Sequence, residues 1–473
     1  MKKALKVLFC SSEVLPFVKT GGLADVSGSL PLALEKLGVD VRIVMPKYKG
    51  IDKTIATLGK DIKVYFVEND AYFARDGLYG IKNVDFPDNL DRFSFFSKKI
   101  LELLKEINFK PDVIHANDWQ CALIPAYLRL MYNHDEFYKD IKTVFTIHNL
   151  AYQGLFPREQ YPKLGIDRSF FTINGFEFYD KVNLMKGAII FSDVTTTVSP
   201  TYAKEIQTDE YGCGLHGLLA ERSKNLYGIL NGLDYNQWNP AKDKFIPKKY
   251  SFSTLEDKYI NKRALQKEVG LEVARRVPLF GLISRLVDQK GLDILTGCLD
   301  ELLQRPLQLV LLGTGEPKYH QLFGAAQKSY PHKINATLGY DASLAQKIYA
   351  SSDIFLMPSK FEPCGLGQII SLRYGTVPLV RKTGGLADTI IDISENPKEG
   401  TGFVFSEYSS KQLLATIDKA LELYKDKTLW KSMIQSGMKA DFSWKSSAKK
   451  YVALYQSIIS KNATATISSR LTS

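Results

Sequence analysis

One heptapeptide, KTGGLAD, occurs twice in this chain, at Lys19–Asp25 and at Lys382–Asp388, each time after an apolar run and before a helical pattern. An identity of this length at two strand-to-helix junctions predicts two α/β domains of related architecture. Adjacent glycines let the backbone approach a ligand closely, and the first turn of the following helix offers free N–H groups and the positive end of its dipole. Phosphates or sugar hydroxyls suit both loops; the plainer alternative is a pair of tight turns whose glycines only relieve φ strain. Ligands of doubly wound sheets lie beyond the carboxyl ends of the strands. Two such domains facing each other would form a cleft.

Short β-branched runs alternate with longer amphipathic segments, beginning with Val7 to Cys10, Val39 to Met45, Val113 to His115 and Thr143 to His148. That rhythm predicts a parallel sheet. After Trp238, Asn239 and Pro240 a polar stretch runs through Lys249, and the pattern restarts with Pro278 to Ser284, Leu307 to Leu312, Ile354 to Met357 and Val377 to Val380. The expected organisation is an N-terminal α/β domain over 1–240 and a second over 241–443. A chain of 473 residues exceeds what one core supports.

Composition narrows the class. With 45% hydrophobic and 24% charged residues the chain is globular. No apolar run approaches the ~20 residues of a membrane-spanning helix, so a soluble protein without a membrane partner is expected. The start, MKKALKVLFCSSEV, reads as a first buried strand, because Ser11, Ser12 and Glu13 end the apolar run too early for a signal peptide. Cys10, Cys121, Cys213, Cys298 and Cys364 are dispersed and contain no CxxC pair, which points to a reducing, cytoplasmic setting. The histidines lack HxxxH spacing, which argues against a metal centre. A net charge of +11 favours anionic ligands. Lys and Arg are dispersed, however, and no nucleic-acid-binding pattern accompanies them, so nucleic acid is not an expected partner. The end, NATATISSRLTS over 462–473, has the small polar residues of a disordered tail.

Several segments could carry chemistry. GLISRLVDQKGL at Gly281–Leu292 places Arg285 and Lys290 just after a buried strand. Near a departing nucleoside diphosphate, each cation at ~4 Å and effective dielectric ~20 would contribute ~4 kcal/mol of gross attraction before desolvation. Both residues also fit a merely solvated loop. LLGTGEPKY carries Gly313 and Gly315 after another strand, in the manner of a nucleotide-contacting turn. The full dinucleotide fingerprint and a GxxxxGK[ST] loop are both missing, so hydride transfer and phosphate hydrolysis find no support. In SKFEPCGLGQ, Glu362 precedes a turn through Cys364 and Gly365 into a helix whose backbone N–H groups could bind sugar hydroxyls. Glu362 equally suits the role of a helix N-terminal charge, and Cys364 reads as a packing residue. HANDWQ at His115–Gln120 and TIHNLAYQG at Thr146–Gly154 follow apolar strands and gather polar and aromatic groups. Trp119 could cover a sugar's apolar face, Asp118 and Asn149 match hydroxyls, and His148 is either a site residue or a satisfied structural one.

In this order, KTGGLADV, HANDWQ, TIHNLAYQG, ILNGLD, SRLVDQKG, FEPCGLGQ and KTGGLADTI resemble the bacterial glycogen synthase and plant starch synthase family, over residues 4–460. The resemblance implies an α/β GT-B fold: two facing Rossmann-like domains with parallel sheets, a deep interdomain cleft, and a C-terminal helix over 444–461 that returns to the N-terminal domain. It implies transfer of glucose from ADP-glucose to the nonreducing 4-hydroxyl of an α-1,4-glucan, with retention and with no cofactor or metal. Arg285 and Lys290 would replace the metal electrostatically. Lys19, Gly21 and Gly22 would contact the donor diphosphate or sugar, with Asp25 fixing their loop. Asp118 and His148 would line the glucose, the His148 carbonyl facing the anomeric carbon, and Trp119, Asn149, Asn231 and Gly313 would contact substrate. Glu362 matches the essential acidic residue, and the backbone of Cys364, Gly365 and Leu366 would hold glucose hydroxyls. Tyr340 would stack on the base. Thr383, through its hydroxyl or N–H, would bind phosphate together with Gly384 and Gly385. Gly367 departs from the Thr common in the family and alters a donor contact, while Ile370 stands where more distant relatives carry a second Glu.

The expected chemistry is front-face displacement, with no side-chain nucleophile. Two rival readings remain open on sequence: a related GT-B enzyme using UDP-glucose or another acceptor, and a silent glucan-binding protein, which would have little reason to retain Lys19, Arg285, Lys290 and Glu362 together.

Overall fold

The apolar runs form buried parallel strands, as segments without inside-outside alternation must when both faces of a sheet are covered. In the computed structural model, which describes residues 4–81 and 84–470 (461–470 in backbone only), the first sheet contains β1 (Lys6–Cys10), β2 (Asp40–Pro46), β3 (Ile55–Leu58), β4 (Ile62–Val67), β5 (Val113–Asn117), β6 (Lys142–Ile147), β7 (Val194–Thr197) and β8 (Leu226–Gly228). Its order is β8-β7-β6-β5-β1-β2-β4-β3, and only the β3–β4 pair is antiparallel. Leu8 in β1 lies opposite Arg42 on one side and Ile114 on the other.

The second sheet contains β9 (Leu279–Ile283), β10 (Gln308–Leu312), β11 (Ile334–Thr337), β12 (Ile354–Met357), β13 (Val377–Arg381) and β14 (Phe403–Phe405). All its pairs are parallel, in the order β11-β10-β9-β12-β13-β14. Phe280, Leu309, Leu311, Phe323, Leu413 and Ile417 anchor its core at 0% exposure, each such side chain contributing roughly 1.5–3 kcal/mol on burial. The helices that matter below are α1 (Gly22–Glu35), α2 (Lys258–Glu268), α3 (Ala342–Ser351), α4 (Gly367–Arg373), α5 (Gly384–Thr389), α6 (Lys427–Lys439) and α7 (Trp444–Arg470).

The chain divides into two compact units, Met1–Gly232 with Trp444–Ser473, and Leu233–Ser443. Residues 233–240, read from sequence as the end of the first domain, belong to the second unit, since the Leu233 N–H donates to the Phe442 carbonyl at 2.7 Å and the Tyr250 N–H to the Pro240 carbonyl at 3.2 Å. These bonds join segments too distant in sequence for composition to pair them. Helix α7 is part of the first unit. Its Ser447 Oγ donates to the Leu230 carbonyl at 2.6 Å, and its Tyr455 hydroxyl lies 2.7 Å from His115 Nδ1. The tail expected over 462–473 falls on residues whose side chains, and for 471–473 whose backbone, lie outside those described; the helical backbone continues to Arg470.

Candidate functional site

The parallel strands of each sheet reverse their order at one point, between β1 and β5 in the first and between β9 and β12 in the second. Ligands of open α/β sheets bind past the carboxyl ends of the strands at such a point. In the second unit a cavity of about 220 Å³ lies there, lined by Arg285 and Lys290 after β9 and by Ser359, Glu362, Gly365 and Gly367 after β12. Lys290 Nζ is 2.7 Å from Glu362 Oε2, which also accepts from Ser359 Oγ at 3.0 Å. Glu362 is 6% exposed, and these two partners offset the cost of burying its carboxylate. Gln289 joins the two loops, its carbonyl accepting from the Lys360 N–H at 2.9 Å and its side-chain amide donating to the Phe361 carbonyl at 3.3 Å. Arg285 is exposed beside them. Ser284 Oγ, on the cavity wall, is buried without a partner among the described residues. A buried polar atom of that kind is open to a ligand.

The turn after Glu362 is built for close contact. Gly365 has φ +72°, a region that favours glycine, and Gln368 Nε2 clamps the turn by donating to the carbonyls of Cys364 at 3.0 Å and Gly365 at 3.1 Å. The N–H groups of Gly365 and Leu366 have no acceptor among the described residues and stand at the start of α4. Cys364 is buried. A Cβ at Gly367 would meet Phe355 at 2.9 Å and Met357 Sδ at 3.2 Å, so the glycine matches the bulk of its neighbours. Tyr340, past the end of β11, is 88% exposed and offers its ring to solvent.

Four residues of this unit expected to contact a ligand, Gly313, Thr383, Gly384 and Gly385, have their backbone engaged in packing. The Gly313 N–H donates to the Thr337 carbonyl at 3.1 Å, and a Cβ on Gly313 would meet the Ser284 carbonyl oxygen at 2.1 Å. The Thr383 N–H donates to the Arg381 carbonyl at 3.0 Å. The Gly385 N–H donates to the carbonyls of Glu362 and Pro363 at 3.1 and 3.2 Å. A Cβ at Gly384 would lie 1.9 Å from the Glu362 carbonyl oxygen, and one at Gly385 would lie 2.1 Å from that of Cys364. The second KTGGLAD is therefore a seat for the Glu362–Gly365 turn, and its reach to a ligand is indirect.

The first copy behaves differently. Gly21 and Gly22 are exposed, and a Cβ on either would meet nothing within 4 Å. Gly21 has φ −150°, whereas its counterpart Gly384 has φ +43°. A carboxylate unmarked by any sequence motif, Glu13, holds this loop: it accepts from the Thr20 N–H at 2.5 Å, the Thr20 hydroxyl at 2.5 Å, the Gly21 N–H at 3.2 Å and the Tyr79 hydroxyl at 2.7 Å. Lys19 Nζ pairs with Asp25 at 2.8 Å. An exposed pair of this type contributes about 0–1 kcal/mol, so its effect is to aim Lys19.

At the end of β5, Asp118 has φ 54° and ψ 179°, strain of the sort that concentrates at functional sites. Its Oδ1 accepts from the His148 N–H at 2.8 Å. Burial pushes its carboxyl up to about 7, against the backbone N–H groups of His148 and Asn149. His148 Nε2–H donates to Asn117 Oδ1 at 3.0 Å, and Asn117 donates in turn to the Cys10 carbonyl at 2.9 Å. Burial brings His148 down to about 3, so its ring is neutral near pH 7. Asn149 Oδ1 accepts from the Ala151 N–H at 3.1 Å and shapes the turn. Trp119 is half-buried, edge-on to Phe93 at 4.9 Å and beside Phe156 at 6.0 Å, and Gly154 leaves it room, since a Cβ there would meet the indole at 2.8 Å. Asn231 is 9% exposed and its Oδ1 has no partner among the described residues.

The first unit thus gathers Lys19, Gly21, Gly22 and Asp25 after β1, and Asp118, Trp119, His148 and Asn149 after β5 and β6. The second gathers Arg285, Lys290, Glu362, Cys364, Gly365 and Leu366. Glu13, Asn117, Ser284, Ser359 and Gln368 were not singled out from sequence. The position of Glu13 in the loop between a buried strand and the heptapeptide was the one available signal.

Among known families, the starch synthase catalytic domain matches residues 6–221 and the group 1 glycosyl transferases match residues 267–437. The chain is 50% identical to a glycogen synthase of Geotalea daltonii, covering 97% of this chain and 99% of that one. It is 47% identical to a glycogen synthase of Thermosipho melanesiensis, over 97% and 100% of the two chains. The catalytic domain of starch synthase IV from Arabidopsis thaliana, solved with ADP and acarbose, superposes with a TM-score of 0.88 at 36% identity, covering 97% of this chain and 100% of that one. A sucrose-phosphate synthase from Thermosynechococcus elongatus shares the fold, with a TM-score of 0.63 at 16% identity over 97% and 100% of the chains.

Proposed function

The chain belongs to the glycogen and starch synthase family of glucosyltransferases, and from that premise we propose that it takes its glucose from ADP-glucose and adds it, with retention, to the nonreducing 4-hydroxyl of an α-1,4-glucan. The fold is the α/β GT-B class of that family, and a nucleotide sugar and a glucan are its substrates. The observation that carries the finer reading is the cavity at the strand switch of the second sheet, where Lys290, Arg285 and Glu362 stand beside the open N–H groups of Gly365 and Leu366. A nucleoside diphosphate is a dianion leaving group, and a sugar is a set of hydroxyls; this site offers cations for one and donors for the other. The 36%-identical starch synthase IV was solved with ADP, which supports adenine as the base.

In this reading the bond from the anomeric carbon to the diphosphate oxygen breaks with its electron pair going to the diphosphate. The acceptor O4 bonds to the same face of that carbon and passes its proton to the departing oxygen. Arg285 and Lys290 stabilise the charge as it develops, an interaction stronger in the transition state than before it. Glu362 keeps Lys290 in place and accepts from the glucose, whose hydroxyls take the Gly365 and Leu366 N–H groups. Ser284 contributes its unpaired hydroxyl, and Tyr340 stacks on the base. Among the first unit's residues, Lys19, Gly21 and Gly22 serve the diphosphate. Asp118, the His148 carbonyl, Trp119, Asn149 and Asn231 serve the sugars. The reaction needs no metal in this scheme, and the protein works in the cytoplasm. Among the described residues no helix is long and apolar enough to cross a membrane.

The test is incubation of the full chain with glycogen and either ADP-glucose or UDP-glucose, with a chelator present, following nucleoside diphosphate release and glucan growth together. ADP release matched by glucose incorporation is the expected result. Turnover confined to UDP-glucose refutes the donor, and turnover abolished by the chelator refutes the metal-free scheme.

A further inference from the structure

A second cavity, of about 440 Å³, lies at the opposite ends of the second sheet's strands. It is lined by Arg275 and Arg276, which precede β9, by Asp353, which precedes β12, and by Gly375, which precedes β13. Arg285 and Glu362 follow the other ends of β9 and β12, about 16 Å away at the ~3.3 Å rise per residue of a parallel strand. Cavities of this size suit small ligands, which occupy roughly 300–1,000 Å³.

Five cations, Lys258, Lys262, Arg275, Arg276 and Lys427, face two carboxylates, Asp353 and Glu256. Two of the five form a fixed floor. Lys258 Nζ donates to the Ala350 carbonyl at 2.9 Å and to Thr376 Oγ1 at 2.7 Å, tying the end of α3 to the start of β13. Lys262 Nζ takes Asp353 at 2.7 Å. Arg275, Arg276 and Lys427 are exposed and have no carboxylate partner among the described residues. Arg275 lies over the Tyr259 ring at 4.8 Å and Lys427 over the Tyr424 ring at 3.4 Å. Burial, and after it the Lys262 charge, hold Lys258 and Lys427 below the usual lysine range against the pull of Asp353. With five cations against two carboxylates, positive charge is in excess here, and a bound anion would relieve it.

We propose that this cavity binds a small organic phosphate, its anionic group taken by Arg275, Arg276 and Lys427 and its organic part set against the Tyr259 ring. The cations supply the Coulombic attraction and the guanidinium forks match phosphate oxygens bidentately. Lys258 and Lys262 underlie the site without being displaced. This site is independent of the donor assigned to the first cavity.

Calorimetric titration of the full chain with phenyl phosphate tests it, in the wild type, in R275A/R276A and in R285A. Both arginines of the double variant are exposed, and its thermal midpoint verifies folding. Saturable binding is expected in the wild type, weakened about tenfold or more in R275A/R276A and held within about twofold in R285A. Absence of saturable binding in the wild type, unchanged binding by folded R275A/R276A, or a loss that instead follows R285A would overturn the proposal.

Discussion

Replacing Gly21 by Ala in the first heptapeptide and Gly385 by Ala in the second makes the same chemical change at neighbouring positions of the repeat, and the structure separates their consequences. The new methyl at 385 would sit 2.1 Å from the Cys364 carbonyl oxygen and 2.5 Å from the Cys364 Cα. Carbon and oxygen rest at ~3.3 Å or more, so the Glu362–Gly365 turn must retreat by about 1 Å. Overpacking of this kind costs roughly 1–3 kcal/mol. For a unit of this size each kcal/mol lowers the midpoint by about 2–4 °C, so a fall of roughly 2–12 °C follows. A 1 Å misplacement of catalytic groups costs about 10²-fold in rate, and kcat should drop on that scale. At Gly21 the methyl meets nothing within 4 Å and φ is −150°, so stability should change by only about 1 kcal/mol, the difference between Gly and Ala at a helix N-cap. Its effect should fall on the KM for the nucleotide sugar. Thermal unfolding and glucose-incorporation kinetics on both variants decide the matter. A G385A protein with wild-type midpoint and kcat, or a G21A protein destabilised as far as G385A, would refute the division of roles between the two copies.

Lys290→Ala should lower kcat by about 10²–10³, the scale of a lost oxyanion donor, and should destabilise by about 3 kcal/mol because it strips the main partner from a carboxylate that is 6% exposed. K290A/E362Q should regain the midpoint and not the activity; unchanged turnover in K290A would sink the role assigned to it. Burial lowers both His115 and His148 to about 3, so the unfolded chain binds their protons first and stability falls as pH drops from about 6.5 toward 4. Asp118, raised to about 7, gains stability over the same interval and offsets part of the loss. Asp118→Asn should therefore steepen the fall of the midpoint between pH 6.5 and 5, and a shallower slope would contradict this balance. Glu13→Gln places an amide where the Thr20 and Gly21 N–H groups and two hydroxyls converge; the KM for the nucleotide sugar should rise about tenfold with kcat less affected, and an unaltered KM would show that Glu13 does not position the loop.

The alternation of apolar runs with amphipathic segments was enough to read two parallel-sheet units, and the ordered motifs were enough to read the family, because strand and helix preferences are local and each motif lies at a strand end that its own apolar run defines. That Arg285, Lys290 and Glu362 stand at the ends of buried strands was legible for the same reason. What the tertiary structure alone decided is which backbone donors remain open. Two identical heptapeptides diverge because one meets the carboxylate of Glu13 and the other meets the carbonyls of Glu362 and Pro363. The packing role of Gly313, the clamp made by Gln368 and the cation-rich cavity around Arg275 share that origin: each depends on partners brought together across the sheet, and a sequence states which groups a chain has but not which of them are already engaged.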